Sequence, residues 1–328
     1  MKKIFVLIPV AALALVSCVK TQDVYTGAPE SREIAISALS LPATKTAADT
    51  YAGPIASTTF PADLNMYVAA YQVSPTPANY FGATQFTNNG SYWGGGKYWP
   101  LSEAYLNFLA IANAPSATFD ATTPASGAVI SFDASGQNDL MYAIGHAAVS
   151  QSGNGLTFPN VEMSFRHALA WISFRVKGAA AITISSITLN GANYSGTYTV
   201  THTNYNQSSD QSASGVWSSV GSSANVAVPN WTSAALTNEF VGVGNGLMIV
   251  PNPDATSDFT GFTIAYSLNG QSYSYTYVPD ARNVDQGKHY VYDLTFTLHE
   301  ILVDASVSDW VTDLNGNSTD DDNVAVNL

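Results

Sequence analysis

The chain has 328 residues, a net charge of −13 at neutral pH, 46% apolar residues and only 11% charged ones. That apolar content excludes wholesale disorder and suffices for two domains. The polar surface must then come from Ser, Thr, Asn, Gln and Tyr, as in extracellular β-proteins. A nucleic-acid partner is excluded, because phosphate binding needs a basic face and Lys and Arg cluster only at Lys2-Lys3.

Those lysines are followed by an apolar run, Ile4 to Val16, and then by Leu15-Val16-Ser17-Cys18. A positive start and an apolar run too short for the ~20 residues that cross a bilayer make a secretory signal over residues 1–18. The small and aliphatic residues before Cys18 match a bacterial lipobox, so Cys18 is the expected lipid attachment point and the precursor is expected on a membrane. Cys18 is also the only cysteine, which leaves no intrachain disulfide and no thiol chemistry.

Residues 19–29 are small and polar and read as a tether. Arg32-Glu33 introduces a short predicted strand, Ile34 to Leu39, with Ile34, Ile36 and Ala38 on one face. In the loop that follows, Lys45 offers a trypsin-like protease a cut before Thr46. On the residues alone, a surface lysine without a role is the favoured reading of Lys45.

Leu64, Met66, Val68 and Ala70 alternate with Asn65, Tyr67, Ala69 and Tyr71, the pattern of a half-buried strand. A loop-rich stretch then carries Gly94-Gly95-Gly96 and the aromatics Tyr92, Trp93, Tyr98 and Trp99. The glycines lack the following Lys-Ser/Thr of a phosphate loop and are expected to turn the backbone beside large rings. Trp93, Tyr98 and Trp99 form either a glycan-stacking platform or a packing cluster at a domain edge. Leu106 to Ala112 reads as a buried strand, with further strands at 128–132 and 140–144. Gln151 to Gly155 is the expected inter-domain turn, which puts the boundary between residues 160 and 161.

Val161 to Lys177 reads as one strand whose second half turns Ala168, Ala170, Ile172, Phe174 and Val176 to one side. His167 within it is expected to be a hydrogen-bonded core or edge residue. The apolar phase shifts between Ile182/Ile184 and Ile187/Leu189, which predicts a β-bulge at Ser185-Ser186. Asn190-Gly191 is expected to end that strand, Gly196 to begin another, and residues 203–225 to form a long loop. Leu247 to Val250 is a strand, and Asn269-Gly270 between two alternating runs predicts a hairpin. Tyr290 to Leu298 follows, then Ile301, Val303, Ala305 and Val307. Beyond the acidic spacer 313–322 comes a terminal comb, Val324, Val326 and Leu328. No helix period survives over a useful length, so the chain is predicted to be all-β.

Catalytic and metal patterns are missing. The histidines (His146, His167, His202, His289, His299) show no ligand spacing, there is no GxSxG elbow, and the faint calcium-loop pattern at 313–317 has its glycine misplaced. The sequence implies no enzyme, no metal and no cofactor.

Several short motifs recur here in a shared order: the lipobox, the segment 32–46, Tyr98-Trp99-Pro100 with 106–110, Phe165 to Ala170, Gly246 to Pro251, and Val303 with Val307-Ser308-Asp309-Trp310. Together they resemble the fimbrillin-like (Mfa-like) subunits of type V pili of Bacteroidales-type bacteria. The resemblance implies two tandem transthyretin-like β-sandwich domains, here 46–160 and 161–328, behind a signal (1–18) and a propeptide (19–45). It implies a structural subunit of a surface fimbrium that supports adhesion, exported as a lipoprotein to the outer membrane. An N-terminal strand (Ile34, Ile36, Ala38) would be cut away and the groove refilled by a neighbouring subunit. Lys45 matches the cleavage position, with Arg32 as second candidate. The donor design is met by Ile301, Val303, Ala305 and Val307 together with Val324, Val326 and Leu328. Expected partners are other pilus subunits, the outer membrane and a host or bacterial surface ligand. The alternative is a surface lipoprotein that binds glycans through Trp93, Tyr98 and Trp99.

Overall fold

A computed structural model of the chain describes residues 32–39, 64–114, 117–153, 155–179, 181–231, 234–297, 300–309 and 324–325. In chain order the strands are β1 (Ile36–Leu39), β2 (Met66–Ser74), β3 (Ala78–Asn88), β4 (Trp93–Gly94), β5 (Ala104–Ala112), β6 (Thr118–Phe119) and β7 (Gly127–Asp133). Then come β8 (Met141–Ser152), β9 (Gly155–Thr157), β10 (Val161–Ser164), β11 (Arg166–His167), β12 (Ala170–Gly178), β13 (Ile182–Thr203) and β14 (Ser212–Ala227). The last are β15 (Ala234–Ala235), β16 (Val241–Ile249), β17 (Gly261–Leu268), β18 (Gln271–Tyr277), β19 (Lys288–Phe296), β20 (Ile301–Asp309) and β21 (Val324–Ala325). Ala134–Gly136 forms a single 3-10 turn. The protein is all-β.

The strands make three sheets around two cores. A nine-stranded sheet runs β10-β1-β4-β3-β2-β5-β8-β11, with β9 paired to β8. It curls until β8 meets β10: a Cβ on Gly145 would lie 2.9 Å from Val161 Cγ1. The curl encloses the first core, which includes Met66, Val68, Phe86, Phe108, Met163 and Phe165. A seven-stranded sheet (β18-β17-β13-β7-β6, with β14 and β15 on β13) and a five-stranded sheet (β16-β12-β19-β20-β21) sandwich the second core. There Phe174 and Phe262 meet edge-on at 5.1 Å, and Tyr292 packs against both.

The nine-stranded sheet is buried on both faces at its centre. On β5, Leu106, Phe108, Ala110 and Ala112 enter the first core, while Leu109 and Ile111 enter the second. Strand β2 divides likewise: Met66, Val68 and Ala70 on one side, Ala69 with Tyr67 and Tyr71 on the other. The expected half-burial of β2 is therefore corrected, because the β13–β14 hairpin lies across its second face. Asn107, fully buried, donates through Nδ2 to the carbonyls of Tyr205 (2.6 Å) and Gln207 (2.7 Å), and Tyr71 meets Tyr205 edge-on at 5.0 Å.

Other expectations also change. The glycine-containing turn at 151–155 joins β8 to β9 within one sheet and does not separate domains. The boundary at 160/161 does not separate the two cores: β7 pairs with β13, while Val161, Met163 and Phe165 belong to the first core. The stretch 161–177 is three strands, since the chain crosses there from one core to the other. His167 pins the crossing, its buried Nδ1 lying 2.9 and 3.1 Å from the Asp139 carboxylate oxygens, as a hydrogen-bonded core residue should. The bulge stands where the phase shift put it, between Ile184 and Ser186. Asn190-Gly191 is a second irregularity inside one long β13 and does not end it. Most of 203–225, read as loop, is β14 paired along β13. The hairpin at Asn269 (φ 51°) and Gly270 (φ 81°) is as expected, with both residues left-handed.

Between β12 and β19, Trp171 stacks on His289 with centroids 3.6 Å apart, and His289 Nε2 meets Ser173 Oγ at 2.8 Å. Burial, helped by the Arg175 cation, pulls the His289 imidazole down from 6.5 to about 4. The fold thus favours the neutral ring, while the unfolded chain takes up a proton below 6.5. Stability from this site is complete above that value and is lost as pH falls toward about 4. Burial lowers His202 too, with the same sign. We expect the urea midpoint to fall across this window, and His289→Phe, which keeps a ring on Trp171, to flatten the slope.

Candidate functional site

The site is the slot that residues 32–39 fill. Alternation of β-branched and small residues makes Ile34 to Leu39 extended, and the side chains of Ile34 and Ile36 are fully buried in the first core. Burying each contributes about 1.5–3 kcal/mol. Strand β1 runs parallel to β10, with Ile36 to Leu39 opposite Val161 to Ser164, and antiparallel to β4, where Ile36 faces Trp93. The residues before β1 continue the pairing: Glu33 bridges Tyr98, Ile34 N–H donates to Lys97 O (2.7 Å), and Trp99 N–H donates to Arg32 O (2.9 Å). Ala38 stands opposite Met163 in the ladder.

A polar notch sits at the entrance. The Glu33 carboxylate accepts from Gly96 N–H at 2.8 Å and from the Tyr92 hydroxyl at 3.2 Å. The glycine triplet makes room for it. A Cβ on Gly94 would come within 2.7 Å of Glu33 Oε1, and one on Gly95 within 2.6 Å of the Phe86 ring. The glycines thus turn the backbone beside large side chains, as the sequence suggested. Glu33 was not singled out from sequence, although its partners Tyr92 and Gly96 were read as parts of a glycine turn beside aromatics. The only signal was an acid directly before an apolar alternation.

The glycan platform is overturned. Trp93 and Trp99 are 3% and 2% exposed and pack inside the first core, Trp99 edge-on to Phe108 at 6.0 Å, while Tyr98 alone is exposed. Indole rings so placed cannot stack on a sugar, and the packing-cluster alternative describes them.

Of the two cleavage candidates, Arg32 lies in the zipped backbone, its carbonyl held by Trp99 N–H. A protease needs that backbone free and extended, so the fold shields this bond. Cys18, Lys45, Thr46, Val326 and Leu328 lie outside the described residues. The Ile301–Val307 segment is not brought to the slot of its own chain. It belongs to β20, paired along its length with β19, with Ile301, Val303 and Ala305 packed against the second core. Val307 pairs with Val324 on β21, at the sheet edge.

The slot is lined for pairing with a strand. It offers backbone donors and acceptors on two sides, two apolar holes spaced by one residue, and a polar notch at one end. Such a surface recognises an extended peptide segment.

A fimbrillin-like family profile matches residues 35–310. The chain belongs to the fimbrillin-like family. Among solved structures it is similar to a candidate cell-adhesion protein from Bacteroides ovatus, with a TM-score of 0.50 and 11% identity over 87% of this chain and 99% of that one. A candidate cell-adhesion protein from Bacteroides uniformis follows at 0.44 and 14% identity, covering 85% and 99%. A fimbrial protein from Bacteroides vulgatus gives 0.42 and 14%, covering 76% and 94%. At such identities the likeness to the first bears on the fold alone. No curated protein gives a significant match.

Replacing Ile36 by Asp puts a carboxylate into an apolar core without a partner, and the segment should leave the slot. We expect limited trypsin digestion of Ile36→Asp to cut after Arg32, a bond that stays intact in the wild type, as read by mass spectrometry.

Proposed function

We propose that the chain is a structural, non-catalytic pilus subunit, exported as an outer-membrane lipoprotein through Cys18, trimmed after Lys45 and polymerised by donor-strand exchange. The observation that carries this reading is the seating of Ile34 and Ile36. Two fully buried side chains belong to a segment whose ladder to β10 is only four residues long. Between Leu39 and β2 the chain passes Lys45, so one cut detaches that segment from the fold it completes. Loss of the segment would leave two apolar holes and unpaired groups on β10 and around Lys97 and Trp99, and burying them again would drive association with another subunit. Family membership supports the fimbrial role. The chain's scarcity of basic residues, 11 Lys and Arg in all, leaves a trypsin-like protease few competing sites.

The two ends of the chain can be tested separately. Lys45→Ala is expected to block trimming and polymerisation together. Deleting 323–328 is expected to spare trimming and to weaken or abolish polymer. N-terminal sequencing of surface material, with size analysis of both variants, reads this out. Polymer ladders from untrimmed Lys45→Ala protein would contradict the reading.

A further inference from the structure

An open sheet ends on strands with one unpaired side, and this fold treats its edges differently. On β14 the carbonyls of Ala213 and Gly215 are taken by the side chains of Arg166 and Gln286, at 3.0 and 2.9 Å. On the five-stranded sheet, β21 covers part of β20. Strand β18 ends the seven-stranded sheet, and among the described residues its one ladder is to β17. Gln271 to Thr276 are all exposed. Exposed edges are ordinarily blunted by a charge, a proline or a bulge. Here the ladder to β17 runs without a register shift, and β18 holds no proline. No residue from Phe259 to Pro279 is charged, in a chain whose net charge is −13.

The hairpin fixes which backbone groups face outward. Its two-residue turn, Asn269-Gly270, makes Leu268 and Gln271 a hydrogen-bonded pair, and the antiparallel ladder alternates from there. Gln271, Tyr273, Tyr275 and Tyr277 therefore direct their N–H and C=O groups to β17. Ser272, Ser274 and Thr276 direct theirs to the open edge. The side chains divide in the same way. Tyr273 and Tyr275 lie opposite Tyr266 and Ile264, on the side of the second core, yet remain 48% and 38% exposed. Tyr273 stacks on Tyr266 with centroids 5.6 Å apart.

We propose that β18 pairs antiparallel with β18 of a second copy of this chain, about a two-fold axis at Ser274. The strand is self-complementary in that arrangement. Ser274 faces Ser274, and Ser272 faces Thr276 on either side of the axis, so each outward N–H and C=O gains a partner. Tyr273 of one copy faces Tyr275 of the other at the non-hydrogen-bonded positions, where side chains come closest. A slip of one residue sets outward groups against inward ones. A slip of two leaves one end of the ladder with no strand opposite. The absence of charge also favours a second copy over other partners. A charged partner gains no ion pair at this edge, whereas two acidic chains meet here with the least local repulsion. The contact joins two sheets side by side, away from the slot of β1, and does not depend on the strand-exchange reading.

Single cysteines test the pairing, placed in the full chain with Cys18→Ser so that no other thiol competes. Under mild oxidation Ser274→Cys is expected to give a disulfide-linked dimer, because directly opposed residues of a hydrogen-bonded pair stand about 5.5 Å apart at Cα, within disulfide reach. Ser272→Cys is expected to give none by itself and to cross-link when mixed with Thr276→Cys. Equal dimer from Ser272→Cys and Ser274→Cys, each alone, overturns the register, and no dimer from Ser274→Cys overturns the pairing. In parallel, Ser274→Lys sets two like charges against each other across the axis at an exposed position. Sedimentation of the otherwise unaltered chain is expected to show a concentration-dependent dimer that Ser274→Lys loses and Ser274→Thr keeps. A dimer that survives Ser274→Lys is joined at another surface and overturns the proposal, as does a wild-type chain that stays monomeric at every concentration.

Discussion

Ile34 and Ile36 reach the first core from a segment tied to the sheet by a short parallel ladder and a few hydrogen bonds around Lys97 and Trp99. Their side chains fill part of the first core inside the curled sheet. The aromatics of the neighbouring loop are committed to the same place, Trp93 opposite Ile36 and Trp99 against Phe108. The rings that looked available for a ligand are the wall of the slot. The burial of two isoleucines therefore explains at once why the tryptophans are inside, why three glycines stand in a row, and why an acid precedes the strand.

A protein that is to lose a strand must not lose its fold with it. Here the sheet that would be opened is anchored from behind. Its central strands turn one face to the first core and the other to the second, and the β13–β14 hairpin lies over that second face through Asn107, Tyr71 and Tyr205. Two-sided burial makes β2 and β5 the most protected strands of the sheet, while β1 and β10 lie at its far end. Detaching β1 exposes one side of one core and leaves the other intact. Stability is thus concentrated away from the element proposed to move.

Local chemistry was readable from the sequence, and long-range pairing was not. The bulge between Ile184 and Ser186 and the Asn269-Gly270 hairpin each follow from a few consecutive residues, because side-chain phase and positive φ are local properties. The strand at 212–227 was missed because its Ser and Gly residues read as loop. It is a strand only because β13 lies beside it. For the same reason the residues of β7 looked like part of the first domain, although their partners lie some way along the chain in β13. The apolar run at 161–177 concealed a crossing between cores, since either core asks for the same residue types. At the site, the alternation of Ile34 and Ile36 was plain, but the direction of Trp93 and Trp99 was not. An aromatic residue in a glycine-rich loop has the same letters whether it faces water or the core.

In the proposed assembly the place of Ile34 and Ile36 is refilled from another subunit. A reconstruction of the assembled fibre at side-chain resolution tests it most directly. Residues 34–39 should be gone from each subunit, and the strand between β10 and β4 should be continuous with a neighbouring subunit. A fibre in which each subunit keeps its own Ile34 and Ile36 in that slot, with subunits joined elsewhere, would contradict it.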